Sequence, residues 1–83
     1  MVNNIREGLI SAKEGKQEGV DFLYYNTYQD QYRRIYPMVA NLALSDEEKT
    51  RFTQDILAES YNFVFANINA VQSEEQFMDW LPK

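Results

Sequence analysis

Asp55 and Glu59 stand four residues apart, a spacing that sets two carboxylates on one helix face as an acid/base pair requires. Catalysis would also need a nucleophile, a placed water or a phosphate cradle, and no serine elbow or glycine-rich loop accompanies the pair. A second acidic group, Asp46-Glu47-Glu48, could offer oxygens to a hard cation, which wants six or more of them. Ser45 directly before the run, with Glu48 three residues on, instead writes a helix capping box with acids suited to a helix N-terminus. The chain has no histidine and no cysteine. That removes the usual base at neutral pH, the usual zinc ligands, every imidazole triad and any disulfide framework. The expectation is a protein with no enzymatic activity, no metal and no cofactor.

Tyr24, Tyr28, Tyr32 and Tyr36 recur every four residues and so line one flank of a helix, with Arg33 and Arg34 beside them. Aromatic rings alternating with cations can stack single-stranded nucleic acid. Tyrosine also commonly buries its ring at the edge of a core and wets its hydroxyl, and that reading is preferred. Thirteen acids against eight bases give a net charge of −5, which opposes nucleic acid and anionic membranes. From Phe52 to Pro82 there are five acids and no base, so that stretch suits a basic or polar protein surface and not phosphate. No appreciable affinity for duplex DNA is expected of this chain alone.

The elements that position these residues follow from breakers and caps. At 83 residues the chain supports one small core, hence a single domain over residues 1–83. Its apolar runs fall far short of the roughly 20 residues that span a bilayer, so no membrane association and a cytoplasmic location are expected. All three glycines lie within the first nineteen residues, and Pro37 is the only breaker between Val20 and Leu81. The pattern predicts an all-α small helical bundle of three main helices with a weaker N-terminal helix. Asn3 to Ala12, interrupted by Gly8, forms the weak segment. The main helices are expected at Val20 to Leu44, with a kink or restart at Pro37, at Asp46 to Val71, and at Glu74 to Leu81 before Pro82 stops the last helix. Ser73 with Gln76 repeats the capping-box spacing. Phe22, Leu23, Ile56, Leu57, Val64, Ile68, Phe77 and Trp80 are the expected core. The apolar arc of the Asp46 helix is wider than one buried face needs, which leaves some of it for a partner.

Residue order carries more than composition does. Thr53-Gln54-Asp55-Ile56-Leu57-Ala58-Glu59-Ser60-Tyr61, then Val64-Phe65, Ile68 and a closing Phe77-Met78-Asp79-Trp80-Leu81, resembles the second conserved region of bacterial RNA polymerase sigma factors. The branch it is similar to is the extracytoplasmic-function-like one of the seventy-kilodalton class. Upstream, Glu18-Gly19-Val20-Asp21-Phe22-Leu23-Tyr24-Tyr25-Asn26-Thr27-Tyr28 is similar to the start of that family's first region-2 helix. The likeness covers roughly residues 12 to 81, and its most specific part is the Asp-x-x-x-Glu helix joined to Phe-x-x-Trp-Leu. Ala58 stands where the family usually has glutamine. The stretch from Tyr28 to Asp55 is several residues longer than usual, while counting back from Asp55 aligns Tyr36-Pro37 with the family's Tyr-Pro. The sequence ends at Leu81-Pro82-Lys83, where the family continues into its promoter-reading helix.

The resemblance implies a domain of transcription initiation that docks on a coiled coil of the largest subunit of core RNA polymerase. Asp55, Ala58, Glu59 and Asn62 would meet that partner, while Tyr61, Val64 and Ile68 hold the helix on its own core. Promoter DNA would be a partner only if the full-length protein continues past Lys83, and an anti-sigma factor is a further partner the family implies. The alternative is a non-catalytic helical module for dimerisation or protein interaction, unrelated to transcription.

Overall fold

A computed structural model describes residues 1–81; the stop expected at Pro82 lies outside the described residues. Four helices in chain order make an all-α bundle, with no strand among the described residues. The first, α1 (Ile5–Lys13), starts where the Asn4 side chain accepts the Glu7 N–H at 2.9 Å. It runs unbroken through Gly8. Its end is a Schellman turn: Gly15 adopts φ 79°, its N–H donates to the Ala12 carbonyl at 3.0 Å, and the Lys16 N–H reaches the Ser11 carbonyl at 3.1 Å.

The turn folds the chain back into α2 (Gln17–Ala40), which begins three residues before the expected Val20 and stops four before Leu44. Gly19 makes this antiparallel crossing close: a Cβ there would overlap the Ala12 backbone nitrogen and lie 2.7 Å from the Gly8 carbonyl oxygen. Gly8, expected to interrupt the first helix, and Gly19 instead let two helices touch. Pro37 does not start a new helix. It sits inside the last turns of α2, where its missing N–H removes one bond of the ladder, and the helix ends three residues later.

α3 (Asp46–Ala66) opens on the full capping box, with the Glu48 N–H on Ser45 Oγ at 3.2 Å and the Ser45 N–H on Glu48 Oε1 at 3.1 Å. It ends five residues before the expected Val71. At Asn67 the backbone N–H is shared between the Phe63 carbonyl at 3.2 Å and the Val64 carbonyl at 3.1 Å, and the chain tightens into a 3₁₀ turn at Ile68–Ala70. α4 (Glu74–Trp80) begins at Ser73, whose Oγ accepts the Gln76 N–H at 3.1 Å. The reciprocal bond goes one residue further back, from the Gln72 N–H to Gln76 Oε1 at 2.7 Å. At seven residues α4 is shorter than the nine-residue α1.

α2 and α3 form a long antiparallel pair, and α1, the 3₁₀ turn and α4 gather at one end of it. The molecule is accordingly elongated, 42 × 21 × 17 Å. On α2 the buried positions are Gly19, Leu23, Thr27, Gln31, Ile35 and Val39, a strict four-residue repeat. Each such step advances about 40° around a 3.6-residue helix, so the stripe winds from α1 toward α3. On α3 the inward residues are Thr53, Leu57, Tyr61 and Val64. Five of the eight expected core residues are buried: Leu23, Leu57, Val64, Ile68 and Phe77. Phe22, Ile56 and Trp80 are only half-buried, each being the chain neighbour of a residue that takes the inward position, namely Leu23, Leu57 and Leu81. No helix among the described residues is long and apolar enough to cross a membrane.

Candidate docking face

Asp55, Ala58, Glu59 and Asn62 follow the i, i+3, i+4, i+7 pattern along α3, and all four are exposed. Leu57, Tyr61 and Val64 point the other way and are buried, so the outer residues are free of structural duty. Among the described residues the ion pairs are Lys16 with Glu14 and Arg51 with Glu47, at 3.7 and 3.6 Å, so neither Asp55 nor Glu59 is paired. The arrangement offers two unpaired carboxylates, an amide and a small gap at Ala58 on a rigid helix. As an acid/base pair it lacks a third group to act on.

A groove of about 410 Å³ lies beside this face, walled by Val20, Asp21, Tyr24 and Tyr25 from α2 and by Ala58, Tyr61, Asn62 and Phe65 from α3. Its floor is aromatic. The Tyr61 ring is 4.8 Å from Tyr24 and 6.0 Å from Phe65, and Phe65 continues to Phe77 at 6.3 Å. Tyr61 is 2 % exposed, and its hydroxyl meets Thr27 Oγ1 at 2.6 Å. Since Thr27 donates its own proton to the Leu23 carbonyl at 2.7 Å, Tyr61 is the donor of that contact. Burial pushes the Tyr61 phenol up to about 12, with the support of nearby Tyr24, Tyr28 and Asp30.

The tyrosine ladder packs as a core edge. Successive rings from Tyr24 to Tyr36 lie 5.2, 6.2 and 5.7 Å apart, and Tyr24, Tyr28 and Tyr32 rest half-buried on the core. Each ladder tyrosine directly follows a residue of the buried stripe, which explains its position at the seam. Burial, then the neighbouring Tyr24 and Tyr32, raise the Tyr28 phenol. Asp46, Glu47 and Glu48 serve the helix start, and among the described residues no group of three or more metal-ligating side chains could hold an ion.

The groove itself was not legible in the sequence, because it depends on which turn of α2 faces which turn of α3. The i, i+4 spacing of Asp21 and Tyr25 was the one available signal. No family model, curated protein or solved structure matches the chain.

Proposed function

We propose that this chain is a non-catalytic, sigma-region-2-like domain that docks on the coiled coil of the largest subunit of core RNA polymerase in transcription initiation, in the cytoplasm. One observation carries the reading: Asp55, Ala58, Glu59 and Asn62 share an exposed, unpaired face of α3 whose reverse is clamped into the core. An acidic rigid helix face suits a basic partner surface and steers its approach. Promoter DNA belongs to this reading only through a segment following Lys83, and an anti-sigma factor would compete for the same face.

Titration with the isolated coiled coil tests it. The wild-type chain binds, and Asp55→Ala with Glu59→Ala weakens binding by about two- to tenfold while the fold persists, since exposed carboxylates contribute little to stability. Raising the salt weakens the complex further, because rim charges are screened over about 8–10 Å. Ala58→Gln strengthens docking by about 0.5–1.5 kcal/mol if the side chain gains a hydrogen bond to the partner. No binding, or binding indifferent to both acids, removes the docking reading.

One observation favours the second reading, a dimerisation or protein-interaction module. Phe63 is 58 % exposed although its ring lies 6.2 Å from Trp80, leaving an apolar pair at the surface. A melting temperature that rises with protein concentration, without affinity for the coiled coil, would establish that role.

A further inference from the structure

We propose that the groove between the start of α2 and the end of α3 receives a single arginine side chain from a basic helical partner. The inference rests on the docking reading, because Ala58 and Asn62 belong both to the outer face of α3 and to the groove wall.

Ring geometry is the first support. Tyr25 stands at 85° to Tyr24 with centroids 5.6 Å apart, and it is 76 % exposed, so its face is open beside a half-buried ring that rests on Tyr61. Cations are attracted to such faces. Charge is the second. Asp21 lies on the same wall, exposed, and its Oδ1 accepts only the neutral Gln17 amide at 2.9 Å. Asp21 has no ion pair among the described residues, and no base lines the groove. Asp55 and Glu59 on the adjoining face add to the negative field.

These features together select a guanidinium. Its plane stacks on an aromatic face while its fork donates to a carboxylate and an amide oxygen, here Asp21 and Asn62, and its methylene stem can lie on Val20 and Phe65. An ammonium lacks the plane and the fork. An apolar side chain would strip water from Asp21 without replacing it. The groove, about 410 Å³, is large enough for one long side chain.

The test titrates the isotopically labelled full chain with a short alanine- and glutamine-based helical peptide bearing one arginine. Two companion peptides carry lysine or neutral citrulline at that position. The arginine peptide is expected to shift the resonances of Tyr24, Tyr25, Asn62 and Phe65 and to bind about two- to fivefold more tightly than the lysine peptide. Citrulline should give no saturable shift. Tyr25→Ala and Asp21→Asn should each abolish the preference for arginine with the helical spectrum unchanged. Equal binding of the three peptides, shifts confined to residues outside the groove, or a preference surviving both variants overturns the proposal. Titrating the polymerase coiled coil in parallel separates the two ideas. A coiled coil that binds wild type and Tyr25→Ala alike overturns the arginine receptor and keeps the docking reading. An arginine peptide that binds where the coiled coil does not supports the receptor and removes the polymerase.

Discussion

The two ends of the α2/α3 pair are built differently. At one end α1, the 3₁₀ turn and α4 surround the helices, and Leu23, Leu57, Val64, Val71, Phe77 and Leu81 are almost wholly shielded from water. α1 is nine residues, about 13 Å long, and is tied to α2 by a tight turn, so it can flank only the first part of that helix. The other end is a two-helix arm. Ile35 and Val39 are buried there, but so are the polar Gln31 and Thr53, and Met38, Leu42 and Phe52 remain about half-exposed. Two helices can shield one narrow seam and no more, so the arm draws its stability from the end that is fully enclosed. The candidate docking face and groove lie mainly on α3 beside the enclosed end.

Removing core from the enclosed end should have the largest effect. Phe77→Ala is expected to cost about 3–5 kcal/mol, and Ile35→Ala in the arm about 2, both read from urea unfolding. Equal costs would abolish the distinction between the ends. Gly19→Ala comes next, at about 1–3 kcal/mol, because the α1/α2 crossing has no room for a methyl group. A neutral or stabilising result in thermal unfolding would mean that α1 does not pack as closely as described.

Within the arm, Gln31 is 2 % exposed and its Oε1 has no hydrogen-bond partner. Gln31→Met is therefore expected to stabilise by about 1 kcal/mol, since it removes a buried acceptor at similar volume. Destabilisation in the same unfolding assay would show that the amide secures the register of α2 on α3. Ser45→Ala should cost about 1 kcal/mol through the lost cap. The Ser45 backbone and side-chain bonds also hold the Glu48 carboxyl below its ordinary value. Being depressed in the fold, this group stabilises above the ordinary glutamate range, and its contribution fades as pH falls through the lowered value. A proton titration of Glu48 in Ser45→Ala should show the value moving back up.

Tyr61 should have no pH effect near neutrality. Its folded value of about 12 lies above the ordinary 10.0, so the neutral phenol stabilises the fold fully below 10 and less as pH rises toward 12. Alkaline unfolding curves of wild type and Tyr61→Phe measure this, and the slope above pH 10 should be shallower in the variant.

Much of the architecture was legible because its signals are local. Ser45 and Glu48 mark the start of α3 through bonds within one turn, and the four-residue tyrosine spacing marks a helix flank. The end of α3 was not legible, since the apolar series through Ile68 and Val71 continues past Asn67, where the backbone tightens into the 3₁₀ turn. The four candidate docking residues share an exposed face as their spacing implies, whereas Thr27 and Gln31 are polar residue types among other polar residues and gave no sign of burial.

The sequence by itself determined that the chain is helical, where α3 and α4 start, that it has no imidazole and no thiol, and that its second half is acidic. These depend on residue type and on contacts within a few positions. Only the tertiary structure decided that Gly8 and Gly19 bring α1 onto α2, that Leu23 and Leu81 displace Phe22 and Trp80 from the core, and that Asp21 and Tyr25 meet Asn62 across a groove. Those outcomes depend on how a four-residue stripe winds around α2 against its neighbours, and winding accumulates over distances that no local pattern spans.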